Sequence, residues 1–159
     1  MIREMLGIAE GILQELHNEH GEVDALLERI RDCDNASERM RLFNEMQEKL
    51  LAHLQAEQEV LYQRLQNGKS EEARRFGFEG TSEHDAAEQQ VHKMASLGDP
   101  MGDRWEGELK VLMDLVEHHV SEEESTGFSC ARDEFTTEQL EAMREEFQTR
   151  KAQLGTLVA

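Results

Sequence analysis

The sequence predicts an all-α fold, specifically an up-down-up-down four-helix bundle with an additional C-terminal helix. Apolar residues recur at steps of three and four along four long stretches of the 159-residue chain, as the buried face of a helix requires. The connections between these stretches are short and strand patterns are absent, which favours antiparallel helical neighbours. We expect one domain over residues 1–159, with the core bundle at about 2–128 and the last helix at about 136–154.

The first two helices are expected at about residues 2–31 and 38–65. The segment between them is polar, and Asn35 or Ser37 can cap the second helix because its side-chain oxygen accepts a hydrogen bond from a free backbone N–H. Gly68 suits the end of that helix. The inward positions are Leu13, Leu16, His20, Val23 and Leu27 in the first helix and Phe43, Met46, Leu50, His53, Glu57 and Leu61 in the second.

The third helix is expected to be interrupted. It starts at Glu71, is weakened by Gly77 and Gly80, and restarts with a cap at Thr81 or Ser82. We expect it to continue to about residue 97, where a glycine- and proline-containing turn follows. Its inward positions are His84, Ala87 or Glu88, Val91 and Ala95.

The fourth helix is expected at about residues 104–124, with a looser stretch over 125–135. Thr136 and Gln139 then have the spacing of a capping box, which predicts the start of the final helix. The inward positions are Trp105, Leu109, Leu112, Val116, His119 and Glu123 in the fourth helix and Leu140, Met143 and Phe147 in the last.

Two matched pairs of histidine and glutamate are the strongest functional signal. His53 with Glu57, and His119 with Glu123, stand four residues apart on inward stripes, so both side chains of a pair project from one helix face. An inward carboxylate needs a partner, because an unpaired buried charge is unfavourable. The four helices together predict a metal site inside the bundle. The candidate metal ligands are His20, His53, Glu57, His84, Glu88, His119 and Glu123.

Other histidines are less favoured because they are out of phase with the apolar stripes. The alternative pair His118 and Glu122 is rotated by about 100° from the favoured one. His17 lies at the edge of the first stripe, and His92 lies near the loop end of the third helix. A buried Glu–His network without metal, or a slipped register with both glutamates in solvent, also remains open.

The ligand types favour a dinuclear site with iron as the preferred occupant. Nitrogen and carboxylate donors without thiolates suit Fe, Mn or Zn, whereas structural zinc needs four ligands and usually includes cysteine. Ferritin-type di-iron bundles typically contain ExxH motifs. This chain contains none, which argues against that class. Glu88 shares a helix face with His84, but Ala87 can fill the same inward place, so both arrangements remain open.

Charge and composition limit the partners. The net charge of −18 argues against nucleic acid and anionic membrane surfaces. No apolar run approaches the length that crosses a bilayer. Cys33 and Cys130 form no CxxC motif, and two isolated thiols favour a reducing, cytoplasmic location. A homo-oligomer or a signalling partner remains possible.

The histidine and glutamate segments resemble the hemerythrin-like family, also called the HHE cation-binding domain. The matching segments are residues 16–23, 53–57, 83–85 and 118–124, followed by Phe128. The resemblance implies a non-haem centre of two iron ions with an oxo or hydroxo bridge. The resemblance also implies that His20, His53, His84 and His119 are terminal nitrogen ligands. It implies that Glu57 and Glu123 are bridging carboxylates. In the oxygen-carrying members of this family, the third helix looks like HxxxH. This chain has His84 at the position of the first histidine and Glu88 at the position of the second.

We therefore expect a di-iron protein that binds O₂ or a related small ligand, in oxygen or redox sensing or buffering. One alternative is a di-iron enzyme acting on peroxide or nitric oxide, for which Tyr62 or His118 is a candidate proton donor. Another is an iron-handling or structural metal-binding bundle, in which the metal mainly stabilises the fold.

Overall fold

The computed structural model describes residues 10–158, with side chains for residues 10–155, and it is all-α. That part of the chain contains no β-strand. The helices are α1 (Ile12–Asp32), α2 (Ala36–Glu57), α3 (Gln63–Gln66), α4 (Glu71–Ala95), α5 (Asp103–Glu122), α6 (Phe128–Glu134) and α7 (Thr137–Val158). Two π-helical turns, Gln58–Tyr62 and Glu123–Gly127, join α2 to α3 and α5 to α6 without leaving the helical path.

Four long helices pack in a ring, which is the arrangement of a helical bundle. Helix α1 contacts α2, α2 contacts α4, α4 contacts α5, and α5 contacts α1. Helix α7 lies outside this ring, against both α1 and α2. The predicted all-α class is confirmed, and the predicted last helix is present.

Two apolar clusters fill the interior, and a polar layer lies between them. The first cluster includes Leu13, Leu16, Ala56, Leu61, Phe76, Phe128, Leu140, Met143 and Phe147. The second includes Val23, Leu27, Phe43, Met46, Leu50, Val91, Trp105, Leu109 and Leu112. Along the chain, each of the four buried histidines lies between residues of one cluster and residues of the other, which for α5 are reached in α6, so the clusters enclose these histidines from two sides.

Side-chain caps start three of the helices, and the caps at Asn35 and Thr136 were predicted whereas the cap at Ser70 replaces the one expected at Thr81 or Ser82. The Asn35 side chain accepts a hydrogen bond from the Glu38 N–H at 2.9 Å at the start of α2. Ser70 accepts from the Ala73 N–H at 3.0 Å at the start of α4. Before α7, the Thr136 N–H donates to the side chain of Gln139, whose N–H donates to the Thr136 hydroxyl. This reciprocal pair is the predicted capping box.

Helix α1 begins at Ile12, and the predicted start at residue 2 lies outside the described residues. Gly11 precedes α1 with a φ of 54°, a left-handed conformation that favours glycine. A Cβ at Gly11 would also come within 2.4 Å of the Leu140 backbone in α7. The glycine thus lets the entry to α1 approach α7 closely.

Three expectations about helices three and four were wrong. Helix α4 runs unbroken through Gly77 and Gly80. Both glycines face the segment 58–66, and the absence of a side chain lets the helix pack closely against that segment. Residues 125–135, expected to be loose, are mostly helical and belong to the second π turn and α6. Ala95 is exposed, and Met94 takes the inward place instead.

In the described part of the chain, no helix combines the length and the apolar composition that crossing a bilayer requires.

Candidate metal centre

Four histidines and two glutamates form the buried polar layer between the apolar clusters. The members are His20 on α1, His53 and Glu57 on α2, His84 on α4, His119 on α5, and Glu123 directly after α5. Both carboxylates are 0% exposed. A buried carboxylate needs compensation by hydrogen bonds or by a cation, so the layer is a candidate ligand set.

The possible ligand atoms fall into two groups that share Glu57. One group is His20, His53, Glu57 and Glu123, and the other is Glu57, His84 and His119. Within each group, one ligand atom from every residue lies within 4.8 Å of the others. Two neighbouring groups with a common carboxylate are the arrangement that two adjacent metal ions require.

Glu57 lies between a histidine of each group. Its Oε1 is 2.8 Å from His84 Nε2, and its Oε2 is 3.7 Å from His53 Nε2. The two oxygens of one carboxylate therefore face opposite halves of the layer. This geometry suits a bridging ligand.

Glu123 lies close to the other two histidines, but through a single oxygen. Its Oε2 is 3.1 Å from His20 Nε2 and 3.5 Å from His119 Nε2. His84 Nε2 and His119 Nε2 are themselves only 3.0 Å apart, so these two nitrogens converge on one region. The two carboxylates and four nitrogens thus form a compact, roughly symmetric set.

The hydrogen bonding of this set fits metal ions. None of the four carboxylate oxygens of Glu57 and Glu123 has a well-directed hydrogen bond from a described residue. Both ring nitrogens of His20 are in the same condition. Buried nitrogens and oxygens without well-directed hydrogen bonds need an ordered water or an ion, and a cation could satisfy all of those that converge here. The donor set of imidazole and carboxylate, without thiolate, suits iron.

The pKa values of the two buried carboxylates shift in opposite directions. Burial and the neighbouring Glu123 raise the pKa of Glu57 well above its usual range. Burial acts in the same sense on Glu123, but contacts with Glu57 and His20 hold its pKa well below the usual range. Burial lowers the pKa of His20, yet contacts with Glu123 and Glu124 raise it to about 9. The layer therefore holds protons, and a metal that binds there would release them.

Carboxylates also lie behind three of the histidines, facing Nδ1. The distances are 2.9 Å from His53 to Glu19, 2.9 Å from His119 to Glu83, and 3.8 Å from His20 to Glu124. Glu19 and Glu83 can each accept a hydrogen bond from Nδ1–H, which leaves Nε2 with its lone pair directed at the layer. This is how ligand histidines are usually oriented.

Tyr62 reaches the layer from the end of the first π turn. Its hydroxyl lies 3.1 Å from His119 Nε2, and its ring stacks on His84 with centroids 4.7 Å apart. Each buried glutamate lies at the start of a π turn, and Tyr62 and Phe128 occupy matching places at the ends. Single π turns occur often at functional sites. The sequence echo between the two HxxxE segments thus has a structural counterpart.

Glu88 is the one predicted ligand that the structure does not bring to either group. Its side chain is exposed, because Ala87 takes the inward place on α4 and leaves Glu88 rotated toward solvent. The less favoured histidines are also exposed. His17 contacts Glu124, and His118 lies 3.2 Å from Glu83. His92 lies in the last turn of α4.

The carboxylates behind the histidines were missed by sequence reasoning. Glu19 and Glu83 each stand directly before an inward histidine, in the dipeptides Glu19-His20 and Glu83-His84. Each one orients the histidine of a neighbouring helix and not the one next to it in the sequence. The repeated dipeptide was a usable signal, but it did not identify which histidine each glutamate contacts.

Comparison with known proteins agrees with this geometry. Residues 11–131 match the family described as the hemerythrin HHE cation binding domain. A protein of Nostoc sp. (strain PCC 7120) named DNA nickase is 27% identical over 136 residues, which are 86% of this chain and 38% of that protein. The chain thus spans well under half the length of that relative. No solved structure matches it. Because the family match extends over most of the chain and includes all six clustered residues, the chain belongs to the hemerythrin HHE cation-binding domain family.

Proposed function

We propose that this chain is a non-haem di-iron protein that binds O₂ or a related small ligand, in oxygen or redox sensing or buffering. The observation that carries the proposal is the pair of ligand groups that share the buried Glu57. Two ferrous ions held there would supply two electrons to a bound oxidant. Those electrons would come from a site enclosed by apolar clusters on two sides, which limits access of water and protons.

The six clustered residues would divide the ligand roles between the two metals. His20 and His53 would hold one ion, and His84 and His119 would hold the other. The two buried glutamates would bridge them, since each has histidines of both pairs beside it. We do not assign Glu88 a ligand role, because its side chain is exposed.

A small ligand would reach the His84 side of the site. A groove of about 860 Å³ lies between α2, α4 and α7, and His84 contributes to its wall. The Tyr62 hydroxyl lies beside the two nitrogens that converge at that end of the layer. A buried O–H at this point can donate a hydrogen bond to a bound ligand.

A second candidate is a di-iron enzyme that acts on peroxide or nitric oxide. The position of Tyr62 favours it, because turnover of either substrate needs a proton donor next to the reacting atoms. Burial, followed by the charges of Glu123 and Glu57, raises the pKa of Tyr62 well above its usual range, so the hydroxyl keeps its proton. Steady consumption of peroxide by iron-loaded protein would favour this candidate over a binding role.

The proposal is tested by iron content and visible absorption of anaerobically reduced protein, before and after air. We expect about two irons per chain and an oxygen-dependent ligand-to-metal band that reverses when oxygen is removed. Two irons that oxidise irreversibly would favour peroxide turnover or iron handling. A folded protein that takes up no iron would contradict the proposal.

A pair of variants on one helix tests the ligand assignment. His84→Ala should bind about one metal per chain in place of about two, because the ligand group of Glu57, His84 and His119 loses a nitrogen ligand. Glu88→Gln, one turn further along α4, should keep both metals. Loss of a metal in Glu88→Gln would restore Glu88 as a ligand.

We infer the up-down-up-down order of the bundle from the two clusters. Along α1 and α4, buried residues run from the first cluster to the second. Along α2, and along α5 with its continuation into α6, they run from the second to the first. Alternating directions are what an antiparallel order produces. We also propose that residues 1–159 form one domain, since α7 packs on two ring helices.

We propose in addition that the chain binds no nucleic acid, although a relative is named DNA nickase. The net charge of −18 opposes approach to a phosphate backbone. Supercoiled plasmid incubated with the iron-loaded protein should stay supercoiled, and nicking above the buffer control would overturn this proposal. A cytoplasmic location is proposed because Cys33 and Cys130 are both free.

A further inference from the structure

Helix α7 lies beyond residues 11–131, which match the family, yet it contacts the residues behind the polar layer. The Lys151 ammonium on α7 is 2.5 Å from Glu19 Oε2. The other oxygen of Glu19, Oε1, is 2.9 Å from His53 Nδ1. A continuous chain of polar contacts thus runs from the last helix through α1 to a buried histidine of α2.

An aromatic side chain of α7 packs along the same path. The ring of Phe147 meets the ring of His53 edge to face, with centroids 5.9 Å apart. The Lys151 ammonium lies 5.6 Å from the centroid of the Phe147 ring. Phe147 is fully buried, so it also closes the layer to water beside His53. One helix therefore supplies both an ionic and an apolar contact to this part of the site.

The other two carboxylates behind histidines have a different support. Glu83 contacts His118, and Glu124 contacts His17, and both of these supporting histidines are largely exposed. Glu19 instead contacts a lysine, and its side chain is only about one-tenth exposed. An ammonium fixed on a buried carboxylate holds that carboxylate in one orientation more firmly than an exposed imidazole can.

We propose that α7 is part of the metal centre, in which Lys151 is a positioning residue that fixes Glu19, and Glu19 fixes His53 as an Nε2 donor. This inference rests on the proposed metal function. Glu19 offers one oxygen to Lys151 and the other to the Nδ1–H of His53. With the proton held on Nδ1, the lone pair of Nε2 faces the group formed with His20 and the two glutamates.

Cobalt binding tests the proposal with a matched control. Lys151→Met removes the ammonium and keeps the length of the side chain. Arg144→Met removes a different cation of α7, which pairs with Glu15 of α1 at 3.5 Å across the same helix contact. Titrations of metal-free protein with Co²⁺ are followed by visible absorption, which reports each tetrahedral or five-coordinate site.

We expect wild type to bind about two Co²⁺ per chain and Lys151→Met to bind one of them about 10- to 100-fold more weakly. Arg144→Met should match wild type, and Lys151→Arg should restore most of the lost affinity because a guanidinium can also hold Glu19. If Lys151→Met and Arg144→Met bind both ions like wild type, the inference is overturned while the proposed function stands.

Nitrogen NMR of the His53 ring in metal-free protein gives a readout that needs no metal. Wild type and Arg144→Met should show the proton on Nδ1. Lys151→Met should show exchange between the two ring nitrogens. An unchanged His53 tautomer in Lys151→Met would contradict the inference, whether or not wild type binds Co²⁺. Failure of wild type to bind Co²⁺ would by itself defeat only the proposed function.

Discussion

Tyr62 shows how a single side chain contacts both histidines of one ligand group. Its hydroxyl contacts His119, its ring stacks on His84, and its edge meets Phe76 at a centroid distance of 5.8 Å. The residue is 0% exposed, so its hydroxyl cannot exchange this contact for bulk water. If His119 bound a metal through Nε2, as proposed, the hydroxyl would lose that acceptor and would be free to donate to a ligand of the same metal.

Replacing Tyr62 by phenylalanine should weaken anion binding without emptying the site. We expect Tyr62→Phe to keep its metal content and to raise the dissociation constant for azide about tenfold, the effect of one lost hydrogen bond. Azide titration of the oxidised protein by visible absorption measures the constant. An azide affinity equal to that of wild type would show that the hydroxyl does not face the ligand.

Helical phase was enough to select the buried histidines but not their surroundings. The three–four stepping placed His119 inward and His118 outward, and the structure buries the first and exposes the second. The same rule left Ala87 and Glu88 undecided, because neighbouring positions differ by only about 100°. Contacts such as Lys151 with Glu19 join residues far apart in the chain, so no local pattern indicates them.

At the scale of helices, α4 illustrates packing that overrides propensity. A Cβ added at Gly80 would lie 2.6 Å from Cε2 of Tyr62, and one added at Gly77 would lie 2.8 Å from the backbone nitrogen of Gln66. These glycines let α4 approach the segment 58–66 without space for a side chain. Sequence reasoning expected a break there because glycine lowers helix propensity, and it could not foresee the close contact.

Two glycine-to-alanine changes should therefore have opposite signs. Gly80→Ala should lower the free energy of unfolding by about 1 to 3 kcal/mol, because the new methyl group overlaps the ring of Tyr62. Gly107→Ala on α5 should raise it by up to about 1 kcal/mol, since alanine favours the helix and no described atom lies within 4 Å of the added Cβ. Urea unfolding measures both values, and equal effects would contradict the packing argument.

The end of the bundle away from α7 is held by one buried cation. The Arg39 guanidinium donates to the carbonyls of Ile30 and Pro100, both at 2.8 Å, and to Glu106 at 2.5 Å. It also lies 5.0 Å from the ring centroid of Trp105. These contacts tie the end of α1 and the start of α2 to the turn between α4 and α5.

Arg39→Met should lower the free energy of unfolding by about 3 kcal/mol, because two carbonyls and a carboxylate lose their donor. The neighbouring control Arg41→Met removes an exposed ion pair with Glu38 and should change stability little. Both variants should retain the metal content of wild type, since neither position touches the polar layer. Thermal unfolding with metal analysis checks this, and similar melting temperatures for the two variants would refute the role of Arg39.

For the whole molecule, the charge of the polar layer is only partly compensated until a cation joins it, because His20 lies beside Glu123 but Glu57 has no such cation among the described residues. The layer places two fully buried carboxylates between apolar clusters, and no described residue gives their oxygens a well-directed hydrogen bond. Desolvation of such groups is unfavourable, and coordination by a cation reverses the balance. We therefore expect the metal-free protein to be less stable than the metal-loaded protein.

A double variant separates these two effects. Without metal, in EDTA and at a pH above the raised pKa values of Glu57 and His20, Glu57→Gln/Glu123→Gln should unfold with a free energy about 1 to 3 kcal/mol higher than wild type, because neutral amides are less unfavourable when buried than two ionised carboxylates. With Co²⁺ at about 100 times its dissociation constant, wild type should gain about 2.7 kcal/mol for each bound ion, or about 5.4 kcal/mol for two, and the variant almost nothing. The control Glu48→Gln/Glu117→Gln removes the same charge from exposed positions of α2 and α5 and should follow wild type in both conditions. The order of stability of wild type and the first variant should therefore reverse on adding metal. An order that does not change would mean that these glutamates are buried for a reason other than binding a cation.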